Sequence, residues 1–275
     1  MNRFLISIIA VIPLFAVASN TTNQSFNQAK KQLLSVYQDH RETLYCGAAF
    51  DAKGQVISPS GFTTKTHLAR AKKIEWEHVV PAENFGKAFI EWRDGHGQCV
   101  DSKGKSFKGR KCAEKMNVEY RYMQADMHNL FPAIGAVNAL RSNYNFALLP
   151  AAKSDFGACD MRIEGSKAQP PEAARGRIAR SYLYMNQSYP KYSMSKSQHQ
   201  LMSAWDKQYP VNIQECQRAK KIAAIQLNDN EIVKSRCQQA KIFVNIREAM
   251  NYIDNNTLSE LDLVWLRKFK ASKNL

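Results

Sequence analysis

None of the six cysteines (Cys46, Cys99, Cys112, Cys159, Cys216 and Cys237) forms a Cys-x-x-Cys pair. That absence argues against a thiolate zinc site or a thioredoxin-like redox motif. After the amino terminus no apolar run is long enough to cross a bilayer, so nothing downstream predicts a membrane span. No internal repeat or low-complexity tract interrupts the chain. Acidic residues are few, 24 against 39 Lys and Arg, giving a formal charge of +15 over 275 residues. Such an excess attracts polyanions, of which nucleic acid is the commonest, but net charge constrains association and not chemistry. A solubilising cationic surface, or attraction to an acidic envelope, would explain the same number.

What is present begins with an export signal. Arg3 precedes an apolar run from Phe4 to Val17 that contains Pro13, and Ala16-Val17-Ala18 offers a small-residue cleavage site before a polar stretch. Residues 1–18 therefore read as a removable signal peptide rather than an anchor. Residues 19–240 are expected to form one domain, and 241–275 a helical extension in which Thr257-Leu258-Ser259-Glu260 fits a capping box. An even number of cysteines behind a signal implies a disulfide framework, whose fifteen pairings sequence alone does not resolve.

Apolar spacing predicts a helix over residues 25–40, carried by Phe26, Ala29, Leu33, Val36 and Tyr37. Residues 44–50 and 55–57 read as strands around a turn at 51–54, and 73–80 as a β-prone run ended by Pro81. The Gly- and Lys-rich stretch 86–120 reads as a long excursion with little regular structure. Residues 133–148 return to helical periodicity, followed by a second loop. Pro170-Pro171 breaks the chain before a helix over 173–185, and another helix starts at Ser195. Strands early and helices late give an α+β class.

The chemistry concentrates in Ile74-Glu75-Trp76-Glu77-His78-Val79-Val80-Pro81. Cutting a phosphodiester requires deprotonated water, neutralised transition-state charge and support for the leaving oxygen. An imidazole suits the first task, and a hard cation on oxygen ligands suits the others. Glu77 and His78 supply both types of group, but neighbours in a regular strand face opposite ways, so they converge only if the strand ends or distorts here. A second segment, Asp126-Met127-His128-Asn129-Leu130-Phe131-Pro132, offers the Asn129 carbonyl oxygen as a further ligand. Its competing role is a cap or loop hydrogen bond before a helix that Pro132 helps begin. His128 reads as structural, and Asp126 as either a ligand or an orienting group.

These segments, followed by Val137-Asn138-Ala139-Leu140-Arg141-Ser142-Asn143, resemble bacterial endonuclease I, nonspecific nucleases with a ββα-metal (His-Me finger) core. The resemblance runs from about residue 27 to 237. It implies an α+β fold with that core inside a mostly helical, disulfide-stabilised domain, the histidine on a strand and the asparagine on a helix. It implies hydrolysis of DNA, and often RNA, to 5′-phosphate products with little sequence preference. Carried onto this chain, His78 is the general base, Glu77 and Asn129 ligate one Mg²⁺ (with Ca²⁺ or Mn²⁺ as substitutes), and Arg110 holds the scissile phosphate. The implied disulfides are Cys46 with Cys159, Cys99 with Cys112, and Cys216 with Cys237. Where the family often has Cys-Gly-Cys this chain has Cys46-Gly47-Ala48, and a further family cysteine is replaced at Ser60, so one whole disulfide is missing.

Asn138, Arg141 and Asn143 are expected to shape or line the cleft, with Arg141 and Asn143 meeting the nucleic acid. Arg175, Arg177 and Arg180, along the helix after Pro171, are divided between phosphate contact and a solvated basic face. The expected protein is a periplasmic or secreted monomer, with no membrane in its exported form. The alternative is a catalytically silent DNA-capture protein of the envelope.

Overall fold

In the computed structural model, residues 19–242 are described; the expected signal peptide and nearly all of the expected carboxy-terminal extension, including the expected capping box, lie outside them. The amino-terminal helix α1 (Phe26–Val36) starts at Ser25, whose hydroxyl accepts the Gln28 amide, and buries Ala29, Leu33 and Val36. Its apolar stripe joins Phe50, Ala125, Met127, Leu130 and Ile222 in one cluster. A short hairpin follows, β1 (Ala49–Phe50) with β2 (Val56–Ile57). Residues 44–48, expected to extend the first of these strands, do not: 44–46 form a turn and 47–48 belong to no regular element.

Strand β3 (Ile74–His78) pairs antiparallel with β4 (Leu130–Ile134), in the register Glu77 opposite Phe131 and His78 opposite Leu130. Between them lie α2 (Ala82–Gly86), α3 (Ile90–Arg93), α4 (Arg110–Met116) and α5 (Val118–Ala125), then a 3₁₀ turn at Met127–Asn129. The excursion is thus more helical than its composition suggests. Its helices are short, so tertiary contacts and the Cys99–Cys112 disulfide stabilise them more than propensity does.

Helix α6 (Gly135–Arg141) follows β4 directly, completing a β3–β4–α6 unit. The helix expected over 133–148 is therefore confined to seven residues. Pro132 sits inside β4 rather than starting a helix, and its carbonyl accepts the Leu44 amide at 2.8 Å. Its backbone edge faces away from β3, where a missing N–H breaks no ladder bond. The second expected loop holds three of the four strands of a sheet ordered β5-β8-β7-β6, comprising β5 (Asn145–Phe146), β6 (Ser154–Phe156), β7 (Cys159–Glu164) and β8 (Lys167–Gln169).

Four helices close the domain: α7 (Glu172–Ser188), α8 (Lys196–Gln208), α9 (Ile213–Gln226) and α10 (Glu231–Gln239). The main core packs α2, α5, α6, α7 and α8 through residues such as Phe85, Tyr120, Val137, Ile178 and Trp205. All six cysteines are paired, Cys46–Cys159, Cys99–Cys112 and Cys216–Cys237, the set the resemblance implied. No helix of the described residues is long and apolar enough to cross a membrane.

Candidate active site

A cleft of about 700 Å³ runs along β3, lined by Glu75, Glu77 and His78 from that strand, by residues of α1, α2 and α6, and by Arg110. The strand ends at His78, and Val79 and Val80 bend before α2. That ending lets the adjacent side chains of Glu77 and His78 reach one cavity.

His78 is buried, and its Nε2 lies 2.8 Å from the carbonyl oxygen of Gln124. A carbonyl only accepts, so Nε2 carries the proton and Nδ1 presents a lone pair. Burial pushes the imidazole pKa down to about 3, and the Arg110 guanidinium adds to the effect. The ring is a neutral base at ordinary pH.

Glu77 is also buried. Its Oε1 accepts hydrogen bonds from Tyr45 Oη and Arg141 Nη1, each at 2.6 Å, while no described hydrogen bond reaches Oε2. Burial raises this carboxyl above its ordinary value, with Arg141 and Tyr45 working in the opposite direction. Two residues earlier on the same strand face, Glu75 is clasped by Arg70 through Nε (2.7 Å) and Nη2 (2.5 Å) and by Asn138 Nδ2 (2.8 Å). Burial opposes its ionisation, but those hydrogen bonds prevail and hold it below the ordinary range.

Arg110 opens α4 behind Gly109, whose φ of 75° favours glycine, and Cys112 ties the same turn to Cys99. The exposed guanidinium has no carboxylate partner among the described residues, and it acts electrostatically on His78. Asn143 lines the cleft with its amide donating to Glu83 at 2.6 Å.

Other predicted residues lie elsewhere. Asn129 stands on the 3₁₀ turn before β4, not on a regular helix. It is fully buried and clamps Val80, with Oδ1 accepting from the amide (2.8 Å) and Nδ2 donating to the carbonyl (3.0 Å). Arg141, expected to meet nucleic acid, is wholly buried beneath the cleft; besides Glu77 it donates to the carbonyls of His78 (2.9 Å) and Val79 (2.7 Å). Its charge neutralises a buried carboxylate, so it positions Glu77 and does not reach a phosphate.

The α7 arginines do not line the cleft either. Arg175 packs between Pro170 and Tyr209, Arg177 approaches Glu42 at 3.7 Å, and Arg180 is buried against Glu215 and Asp206. His128 lies edge-on to Tyr184, while Asp126 accepts from Tyr184 and Tyr189 hydroxyls. Tyr45, Gln124 and Glu75 were not foreseen from sequence. Only Glu75 had a usable signal, because its two-residue spacing from Glu77 puts both on one strand face; Gln124 acts through its backbone.

The Endonuclease I family model matches residues 15–237. The chain belongs to this family. It is 40% identical over 222 residues to an extracellular deoxyribonuclease of Aeromonas hydrophila, covering 78% of this chain and 91% of that protein. A periplasmic deoxyribonuclease of the same organism is 38% identical over 78% of this chain and 87% of its own length. Endonuclease-1 of Buchnera aphidicola subsp. Acyrthosiphon pisum is 36% identical over 78% of this chain and 83% of its own.

Proposed function

We propose that this endonuclease I family member hydrolyses phosphodiester bonds in DNA, and in RNA as a second substrate, with little sequence preference and 5′-phosphate products. His78 is the general base, Arg110 the phosphate-holding cation, and Glu77 with Asn129 the protein ligands of one Mg²⁺. The observation carrying this reading is His78 itself: a neutral imidazole, its Nε2 spent on Gln124, in one cleft with Glu77 and with Arg110, which has no carboxylate partner among the described residues.

The two expected ligands are of the type a hard cation takes, but only Glu77 lines the cleft, with no described hydrogen bond to its Oε2. Asn129 is fully buried outside the cleft lining, and it would offer the second lone pair of Oδ1, the first being taken by the Val80 amide. Two oxygen ligands suit Mg²⁺, which retains much of its water. No group of three or more His, Cys, Asp and Glu side chains among the described residues is arranged to hold a metal, so a closed zinc site is not the alternative. When bound, the ion supplies Lewis-acid stabilisation of charge on the phosphorane-like transition state and on the departing oxygen.

The chain's own groups perform the rest. Water beside His78 gives its proton to Nδ1 as its oxygen attacks phosphorus, and the Gln124 hydrogen bond stabilises the resulting imidazolium. The bond from phosphorus to the 3′ oxygen breaks, the departing oxygen takes a proton from solvent water to become a hydroxyl, and the phosphate stays on the 5′ side. Arg110 can bind two phosphate oxygens with its planar fork, which a lysine would not reproduce. The proposed site residues all come from one chain, which supports action as a monomer. The location is periplasmic or extracellular, as the names of the Aeromonas relatives indicate, and three disulfides suit that oxidising setting.

The test is a gel assay of the oxidised protein on plasmid and on RNA, with Mg²⁺ and with chelator. Cutting that the chelator stops is expected. Salt-dependent binding with no nicking under Mg²⁺, Mn²⁺ or Ca²⁺ would instead identify a silent DNA-capture protein.

A further inference from the structure

The residues assigned so far leave the α1 wall of the cleft without a role. Phe26 and Lys30 lie one helical turn apart, and both line the cleft. The Phe26 ring centroid is 4.8 Å from that of His78, the planes tilted by 38°. Phe85 approaches the same imidazole at 6.3 Å.

The His78 imidazole has one described hydrogen bond, through Nε2, and a single bond does not by itself fix the plane of a ring. Its plane is then set by what packs against it. Phe85 belongs to the fully buried core, whereas Phe26 is half-buried at the cleft edge. Helix α1 is in turn fixed by Ala29, Leu33 and Val36 against Ala125, Met127 and Leu130, the segment that carries Asn129. Phe26 is therefore a rigid stop and not a loose cover.

Lys30 places Nζ 4.8 Å from the centre of the Phe26 ring and has no carboxylate partner among the described residues. Arg70, also in the cleft, differs in that its guanidinium is committed to Glu75. An unpaired ammonium held over an aromatic face at the edge of a nuclease cleft is poised for an anion.

We infer that α1 is a substrate-positioning wall: Phe26 fixes the plane of the His78 imidazole so that Nδ1 meets the attacking water, and Lys30 binds a backbone phosphate beside the one that is cut. This rests on the nuclease reading above, which assigns neither residue.

The experiment uses the full oxidised protein. Phe26→Ala is expected to lower kcat on plasmid about tenfold or more with KM within about twofold, since small misplacements of a reacting group cost large factors. Phe26→Tyr keeps the ring and restores most of the rate. Phe26→Leu, which keeps apolar bulk without the ring, falls between them and serves if the alanine variant does not fold. In metal-free protein the imidazole proton and carbon resonances of His78 should shift in Phe26→Ala and hold in Phe26→Tyr, because the ring current is lost in one and kept in the other. Lys30→Gln should lower affinity for duplex DNA in chelator and reduce the slope of log affinity against log salt by about one.

Wild-type kcat with unmoved His78 resonances in Phe26→Ala would overturn the positioning role, and an unchanged salt slope in Lys30→Gln would overturn the phosphate contact. Failure of the wild-type protein to cut DNA would sink the nuclease reading instead, with the resonances and the chelated binding still judging the wall.

Discussion

Replacing Arg141 by methionine tests whether the cation nearest Glu77 serves the fold or the substrate. The side chain is wholly buried and donates to Glu77 Oε1 (2.6 Å), the His78 carbonyl (2.9 Å) and the Val79 carbonyl (2.7 Å), with the centroid of the Phe146 ring 4.6 Å from its guanidinium carbon. Methionine fills much of the volume but strands the Glu77 carboxylate without its countercharge. Breaking a buried pair from one side costs about 3–5 kcal/mol, and orphaned carbonyls add roughly 1 kcal/mol or more. For a domain of this size each kcal/mol moves Tm by about 2–4 °C, so we expect a fall of about 10–20 °C in thermal unfolding followed by circular dichroism. The double variant Glu77→Gln/Arg141→Met should recover part of that loss, because it removes the stranded charge. Below its melting range, Arg141→Met should bind DNA in chelator as the wild type does. A variant that melts within about 2 °C of wild type while losing DNA affinity would refute the reasoning and return Arg141 to the interface.

The Cys99→Ser/Cys112→Ser variant removes a bridge across 13 positions worth about 3 kcal/mol in the chain-entropy model. Its cleavage rate should fall further than its DNA affinity, as Arg110 loses the anchor two residues away; an unchanged rate would detach Arg110 from the disulfide. Arg177→Gln should leave the salt slope of DNA binding as it is, because the residue faces Glu42 outside the cleft; a slope reduced by about one would show a phosphate contact. Asn129→Ala should lower stability by about 1–3 kcal/mol through its lost clamp on Val80 and raise the Mg²⁺ concentration needed for half-maximal cutting. Lower stability with an unaltered Mg²⁺ requirement would leave Asn129 as a fastener of the bend alone.

The parts of the fold legible in the sequence are those with a long period or a strong breaker. The spacing of Ala29, Leu33 and Val36 gives α1, Pro171 marks the start of α7, and Ser195 caps α8. Strand β4 was not legible: Leu130–Ile134 is buried at every position, and a five-residue apolar run has no period that separates strand from helix. Pro132 then pointed the wrong way, since only the pairing geometry shows that its backbone edge faces away from β3. In the site, Glu77, His78 and Arg110 could be named from chemistry and resemblance. Arg141 could not be told from a surface cation, because its burial depends on α6 ending beneath the bend after His78. Gln124 was invisible, since any residue supplies a carbonyl. The α7 arginines look like a basic face in sequence, but the return of α8 and α9 covers two of them with Tyr209, Asp206 and Glu215.

The most direct test compares His78→Ala with wild type on plasmid DNA in Mg²⁺, with duplex affinity measured separately in chelator. Wild-type affinity with turnover abolished is the result this account predicts. Cutting at the wild-type rate by His78→Ala would contradict it.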